Sequence, residues 1–256
     1  MSQLIPRIVH YCWFGGAPKP ISVLRYIASW ERVLPGYEIR EWNEQNFDVD
    51  AWAYASQAYR ARRYAFVSDV ARLHALYTYG GIYLDTDVEV RRPFDDLLKG
   101  GVVLGFEEGN YIATSTMLAE PRAALLGAFL DDYRSRSFLR PDGTLDQTTN
   151  VQVLTSMLEG AGLRLDGSPQ YLNWNGQQIN VLDRVKLSPF DYINGVIHAD
   201  ETTYAIHQFG QSWSGGMTKA KTAVRKALIG VVGGKNVKRL RQLFRFGARL
   251  RNDEGA

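Results

Sequence analysis

Cysteine is nearly absent, with Cys12 the single one in 256 residues. No intramolecular disulfide can therefore form, and a zinc site built on several thiolates is excluded. Long apolar runs are missing too, since none approaches the ~20 residues that a bilayer-spanning helix needs. The opening Met1-Ser2-Gln3-Leu4-Ile5-Pro6-Arg7 has no basic stretch followed by an apolar one, so no secretory leader is expected. These absences predict a cytoplasmic protein, at most peripheral on the inner face of the membrane. No internal repeat and no low-complexity linker interrupts the chain. What is present suits a folded core: 45% hydrophobic and 22% charged residues are ordinary for one globular domain, with or without an appendage.

The net charge of +3 conceals an uneven distribution. Residues 217–256 hold 11 Lys/Arg against 2 Asp/Glu, leaving 19 against 25 for the rest. The expected division is a mildly acidic domain over 1–216 and a basic tail over 217–256. In the tail, Met217, Ala220, Val224, Leu228 and Val231 recur at helical spacing. Val237, Leu240, Phe244 and Leu250 follow after Gly233-Gly234, interleaved with Lys and Arg. Basic amphipathic helices of this kind bind anionic membrane surfaces. The alternative is that both stripes pack on the main domain.

Along that domain, Ile5–Trp13 reads as a buried strand, ended by Gly15-Gly16, and Pro20 opens a helix to about Leu34. Tyr37–Trp42 alternates as a second strand. A helical region over 51–79 breaks near Arg60–Arg62 and stops at Gly80-Gly81. Ile82-Tyr83-Leu84 is a short strand, continuing extended through Val88–Val90. Strands follow over Val102–Phe106 and Tyr111–Leu118, then helices from Pro121 to Arg136 and from Asn150 to Glu159. The stretch 179–209 carries short strands and turns. Strands alternating with helices predict an α/β sheet whose first half binds a nucleotide.

Asp85-Thr86-Asp87 lies at the carboxyl end of the apolar strand 82–84, where open α/β sheets bind ligands. If the chain stays extended there, residues i and i+2 point to one side and the two carboxylates converge. Such a pair favours a hard divalent cation between them, shared with a diphosphate. Solvated Asp pairs at strand ends are also common, so three residues alone do not decide. On the preceding helix Asp69 and Arg72 stand one turn apart on one face, among Phe66, Val67, Val70, Leu73 and Leu76. Arg72 could clamp phosphate oxygens, and Asp69 could accept hydrogen bonds from hydroxyl groups. The plainer alternative is a surface ion pair on a helix, against which the apolar neighbours predict partial burial. His10 has no visible partner and reads as structural. His207, in the apolar strand 204–209, reads equally as a core group or a ligand.

Ser68-Asp69-Val70-Ala71-Arg72, Leu76-Tyr77 and Gly80-Gly81-Ile82-Tyr83-Leu84-Asp85-Thr86-Asp87 together resemble the signature of glycosyltransferase family 32. That family includes bacterial capsular sugar transferases and fungal mannosyltransferases, and the clostridial glucosylating toxins carry a related motif. Ile5–Gly16, Ser29-Trp30 and Tyr37–Asn43 resemble its opening strands, and His207-Gln208-Phe209 with Ser212-Trp213 its last loop. The resemblance covers residues 5–106 and resumes near the end of the domain.

It implies a GT-A-type mixed sheet flanked by helices, with a retaining, metal-dependent hexosyltransferase activity in cell-surface polysaccharide synthesis. The donor would be a UDP- or GDP-sugar and the acceptor a glycan or lipid-linked glycan. No nucleic-acid partner is expected. Mn2+ is the implied ion, with Mg2+ as alternative. Asp87 would bind it, with Asp85 sharing and His207 as further ligand. Asp69 and Arg72 would hold the donor sugar and diphosphate, and Trp13 would stack on the base beside Cys12. Tyr64, Ser68 and Tyr83 would line the pocket, and Ser212 and Trp213 would close over the diphosphate. Gln208 and Gln211 stand where the toxins carry an acidic and an amide residue. Asp146 and Asn150 are candidates to flank the acceptor. Two rivals compete: an aspartate-nucleophile phosphatase, suggested by Leu84–Val88, and a non-enzymatic basic module binding membrane or nucleic acid, suggested by the tail.

Overall fold

The computed structural model describes residues 4–191 and 195–210. The basic tail with its expected helices, and Gln211, Ser212 and Trp213 of the loop expected over the diphosphate, lie outside the described residues.

Strand β1 (Ile8–Cys12) is central to the first half of the sheet. It pairs in parallel with β2 (Glu38–Trp42) on one side and with β3 (Gly81–Leu84) on the other. Between them run α1 (Ile21–Val33), then α2 (Ala53–Arg60) and α3 (Tyr64–Tyr79). After β3, a turn leads to β4 (Val88–Val90), and β5 (Val102–Gly105) and β6 (Thr116–Ala119) follow. Helices α4 (Ala124–Ser135) and α5 (Asn150–Gly160) precede β7 (Gln170–Trp174) and β8 (Gln177–Leu182). The seven-stranded order is β2-β1-β3-β6-β5-β8-β7, with β6 antiparallel to both its neighbours and β7 antiparallel to β8. The result is a mixed α/β sheet flanked by helices, as expected. A short α6 (Arg184–Leu187) follows β8, and β11 (Ala205–His207) pairs antiparallel with β4. Of a second compact unit, the described residues give β9 (Phe190–Asp191) and β10 (Val196–Ile197), which pair antiparallel.

Alternation along the strands builds two cores. Tyr83, Met117, Val102 and Leu104 face the layer of α2, α3, α4 and α5, whereas Val9, Ile82, Leu118 and Val103 face the layer holding Trp30, Val88 and Ala205. The junction of α3 and β3 depends on its glycine pair. Gly80 (φ +64) ends the helix, its N–H donating to Leu76 O at 2.8 Å. Gly81 (φ +105) lies so close to β1 that an added Cβ would sit 2.5 Å from Ile8 O. Beneath it, His10 is fully buried. Its Nε2 lies 2.8 Å from Gly80 O, while Nδ1 accepts from Trp42 Nε1 at 3.1 Å. The neutral imidazole donating from Nε2 satisfies both contacts, and burial holds its pKa down at about 4. His10 is thus structural, as the sequence suggests.

Three sequence expectations change. The triplet Asp85-Thr86-Asp87 is a turn rather than an extended continuation, closed by Val88 N–H donating to Asp85 O at 3.0 Å. The strand expected over Tyr111–Leu118 begins only at Thr116. Gly109 and Asn110 both take positive φ and turn the chain, and Ile112 makes only an isolated bridge to Phe106. Strand β7 is an addition to the expected strands: an edge strand with Tyr171 exposed, it has no apolar run to mark it. The hairpin signal is nevertheless present: Asn175 (φ 50) and Gly176 (φ 86) join β7 to β8.

Candidate active site

The ends of β1 and β3 lie side by side, and the polar groups gather where they stop. Asp85 continues from β3, its N–H donating to Ser115 O at 2.8 Å. The turn then carries Asp87 toward the β4–β11 ribbon, where His207 pairs with Val88. His207 Nε2 lies 3.3 Å from Asp87 Oδ1, and Asp87 O accepts from Gln208 N at 3.0 Å. Asp85, Asp87 and His207 each offer a ligand atom, and the three lie within 4.8 Å of one another. Convergence therefore holds, although a turn and a second strand achieve it rather than an extended triplet. Two carboxylates and an imidazole could hold a divalent cation that accepts both oxygen and nitrogen. Burial disfavours the charged imidazole of His207, but Asp87, Asp85 and Glu107 outweigh it and raise its pKa.

Arg72 occupies the centre of this site, not its rim. Its side chain is only 7% exposed. NH2 lies 3.0 Å from Asp69 Oδ1 and 3.3 Å from Asp85 Oδ1, NH1 donates to Thr114 O at 2.7 Å, and Nε donates to Ser68 O at 3.3 Å. The guanidinium also lies 4.5 Å from the centroid of the Tyr83 ring, whose hydroxyl donates to Asp85 Oδ1 at 2.9 Å. Burial opposes the charge, yet Asp85, Tyr83 and Asp69 more than offset it and raise the pKa. A guanidinium so fully engaged fixes two carboxylates. The expected one-face pairing of Asp69 and Arg72 is present, and it is buried. Burial raises Asp69 to about 6, with Arg72 opposing and Asp85 adding to the shift.

The remaining sequence candidates surround this centre. Cys12 is buried, its thiol pushed up to about 12 by desolvation, with Arg72 opposing. Trp13 follows it, half-buried, with Nε1 donating to Ala17 O at 2.7 Å. Tyr64 packs its ring against Gly15, where an added Cβ would lie 2.4 Å from the ring. Ser68 turns its hydroxyl onto its own helix, donating to Tyr64 O at 3.1 Å. Asp146 is held by Arg136 at 2.7 Å and Arg140 at 3.0 Å, so it anchors a loop. Asn150 instead reaches Asp69, with Nδ2 donating to Oδ1 at 2.7 Å.

Two groups escaped the sequence reading. Glu107 follows β5, and burial raises its carboxyl to about 7, with His207 opposing and Asp85 adding. Its place just beyond a strand's carboxyl end is the signal that could have flagged it. The phenol of Tyr26, on α1, is raised by burial and by the negative charges of Asp87 and Glu89. Nothing in its local sequence marks it.

Comparison with known proteins bears on this arrangement. Residues 20–103 match the family model described as a glycosyltransferase sugar-binding region containing a DXD motif. Glucan organizing enzyme 1 of Cryptococcus neoformans var. grubii is 31% identical over 113 residues, which cover 37% of this chain and 31% of that protein. Inositol phosphoceramide mannosyltransferase 3 of Schizosaccharomyces pombe is 32% identical over 145 residues, 48% of this chain and 39% of that protein. The matched segments thus span well under half the length of these curated relatives. Among solved structures, a galactosyltransferase in complex with donor and acceptor sugar analogues aligns over 88% of this chain and 96% of that chain. Its sequence identity is 14% and its TM-score 0.45. The segment from α1 through the start of β5 is thus similar to a glycosyltransferase sugar-binding region containing a DXD motif.

Proposed function

We propose that this protein is a divalent-metal-dependent, retaining glycosyltransferase that moves a hexose from a nucleoside-diphosphate donor to a glycan or lipid-linked acceptor. The observation that carries the reading is the convergence of Asp85, Asp87 and His207 beside the buried Asp69–Arg72 pair, at the carboxyl ends of two parallel strands. Asp87 and His207 would hold the cation, with Asp85 sharing. A bound Mn2+ or Mg2+ supplies charge that neutralises the departing diphosphate. Arg72 keeps the two carboxylates in register through its buried contacts. Asp69, held on one oxygen, accepts hydrogen bonds from donor-sugar hydroxyls and opposes the positive charge that develops on the ring. Trp13 offers a face for the base. No enzymic nucleophile is assigned, so the acceptor's proton passes to the leaving phosphate in a same-face displacement.

The name of the fission-yeast relative makes GDP-mannose the first donor to try, with UDP-glucose, UDP-galactose and UDP-N-acetylglucosamine beside it. Hydrolysis of one donor, dependent on Mn2+ and abolished by excess chelator, is the expected result. Turnover unaffected by chelator would remove the metal from the reading, and hydrolysis of p-nitrophenyl phosphate alone would favour a phosphatase. The domain reading keeps 1–216 as the catalytic part and 217–256 as a basic tail that seats the enzyme on an anionic inner leaflet, near a lipid-linked acceptor in polysaccharide synthesis. Its basis is charge and hydrophobic spacing. No helix among the described residues is long and apolar enough to cross a membrane.

A further inference from the structure

Four buried polar groups close a ring behind the donor site. Arg72 NH1 donates to Thr114 O at 2.7 Å, and Thr114 Oγ1 donates to Asn150 Oδ1 at 3.0 Å. Asn150 Nδ2 donates to Asp69 Oδ1 at 2.7 Å, and that same oxygen lies 3.0 Å from Arg72 NH2. All four residues are at most 8% exposed. They come from α3, from the segment before β6 and from the first residue of α5, so three stretches of chain close one ring around the Asp69 carboxylate.

We propose that Asn150 is a positioning residue that sets the rotation of the Asp69 carboxylate toward the donor sugar. The inference rests on the reading of Asp69 as the acceptor for sugar hydroxyls. Arg72 alone lets the carboxylate swing about its terminal torsion, which is soft. A second donor on Oδ1, from a different element, stops that swing. Among the described residues, both partners of the carboxylate fall on Oδ1, which leaves Oδ2 for a ligand. The amide has one sensible orientation. Its oxygen is engaged by Thr114, and reversing it would set oxygen against the Asp69 carboxylate.

Asn150 is not needed to start its helix. Thr149 is the N-cap, and its reciprocal bonds with Gln152 form a capping box that satisfies the first turn. The approach is fixed separately by Asp146, through Arg136 and Arg140 and through Thr148 N–H donating to its Oδ1 at 3.1 Å. The side chain of Asn150 is thus spare for the site.

Thr155, on the same helix, supplies the control. Its Oγ1 accepts from Ile112 N at 3.0 Å, docking α5 without touching Asp69. The test measures kcat and KM for Mn2+-supported hydrolysis of GDP-mannose and the three UDP-sugars, with thermal midpoints, in full-length variants. Asn150→Ala is expected to lower kcat/KM by at least about tenfold, a loss typical of a misplaced catalytic group. Thr155→Val should lower the midpoint and keep kcat/KM within about twofold. Asn150→Asp keeps the side-chain shape but sets a second buried carboxylate against Asp69, so its kcat/KM is read beside a thermal midpoint that shows it folded. It replaces the donor by an acceptor and should lose as much as Asn150→Ala. Wild-type kcat/KM in Asn150→Asp, or an equal loss in Thr155→Val, overturns the proposal alone. A wild-type protein inactive on every donor sinks it together with the reading beneath it.

Discussion

At the scale of single residues, Arg72 departs furthest from its sequence reading. A helical Arg one turn from an Asp suggests a clamp waiting for a ligand, yet its nitrogens meet Asp69, Asp85, Thr114 and Ser68 within the protein. Removing one partner of a buried, paired charge typically costs about 3–5 kcal/mol. Lysine keeps the charge but cannot reproduce a planar fork. Arg72→Lys should therefore lower both stability, by about 2 kcal/mol in urea unfolding, and kcat/KM, by at least about tenfold. Unchanged stability with lost activity would instead make Arg72 a donor clamp that the protein itself does not need. The residue pair was legible in sequence from its spacing and apolar surroundings. Its partners were not, because Thr114 lies 42 positions away and Asn150 lies 81 from Asp69.

At the scale of elements, the first half of the sheet was readable because it is periodic and punctuated: β1, α1, β2, α3 and β3 fall where apolar spacing and the glycine pairs place them. The second half carries weaker signals. Strand β7 is an edge, and the segment before β6 is bent by Gly109 and Asn110. The joint between α3 and β3 depends on His10, which ties Gly80 to Trp42 across β1. Its folded pKa, about 4, is below its ordinary value of 6.5. Between those values the unfolded chain binds a proton that the folded chain does not. The contribution of His10 is therefore full above about pH 6.5 and is lost as pH falls toward 4. His10→Gln should then destabilise the protein by about 2 kcal/mol more at pH 7 than at pH 5, by linkage. Equal destabilisation at both values would mean that His10 is not held neutral by burial.

At the scale of the whole molecule, the acidic main domain and the basic tail invite separate tests. Reversing Arg239, Arg241 and Arg245 to Glu in the full chain should abolish flotation with anionic vesicles, which high salt should also weaken. Flotation of the variant equal to wild type would contradict membrane docking through the tail. At the candidate metal site the DXD spacing was legible, while the third member was not decided by sequence. His207 reaches Asp87 only because β11 pairs with β4, more than a hundred residues away. The most direct measurement is the unfolding midpoint with GDP-mannose and the UDP-sugars, with and without Mn2+, in wild type and in Asp87→Ala. A true donor at 100 times its Kd stabilises by about 2.7 kcal/mol. Wild type should show that shift only when Mn2+ is present, and Asp87→Ala, which stays folded, should show none. An equal shift in chelator, or in Asp87→Ala with Mn2+, would contradict the metal site.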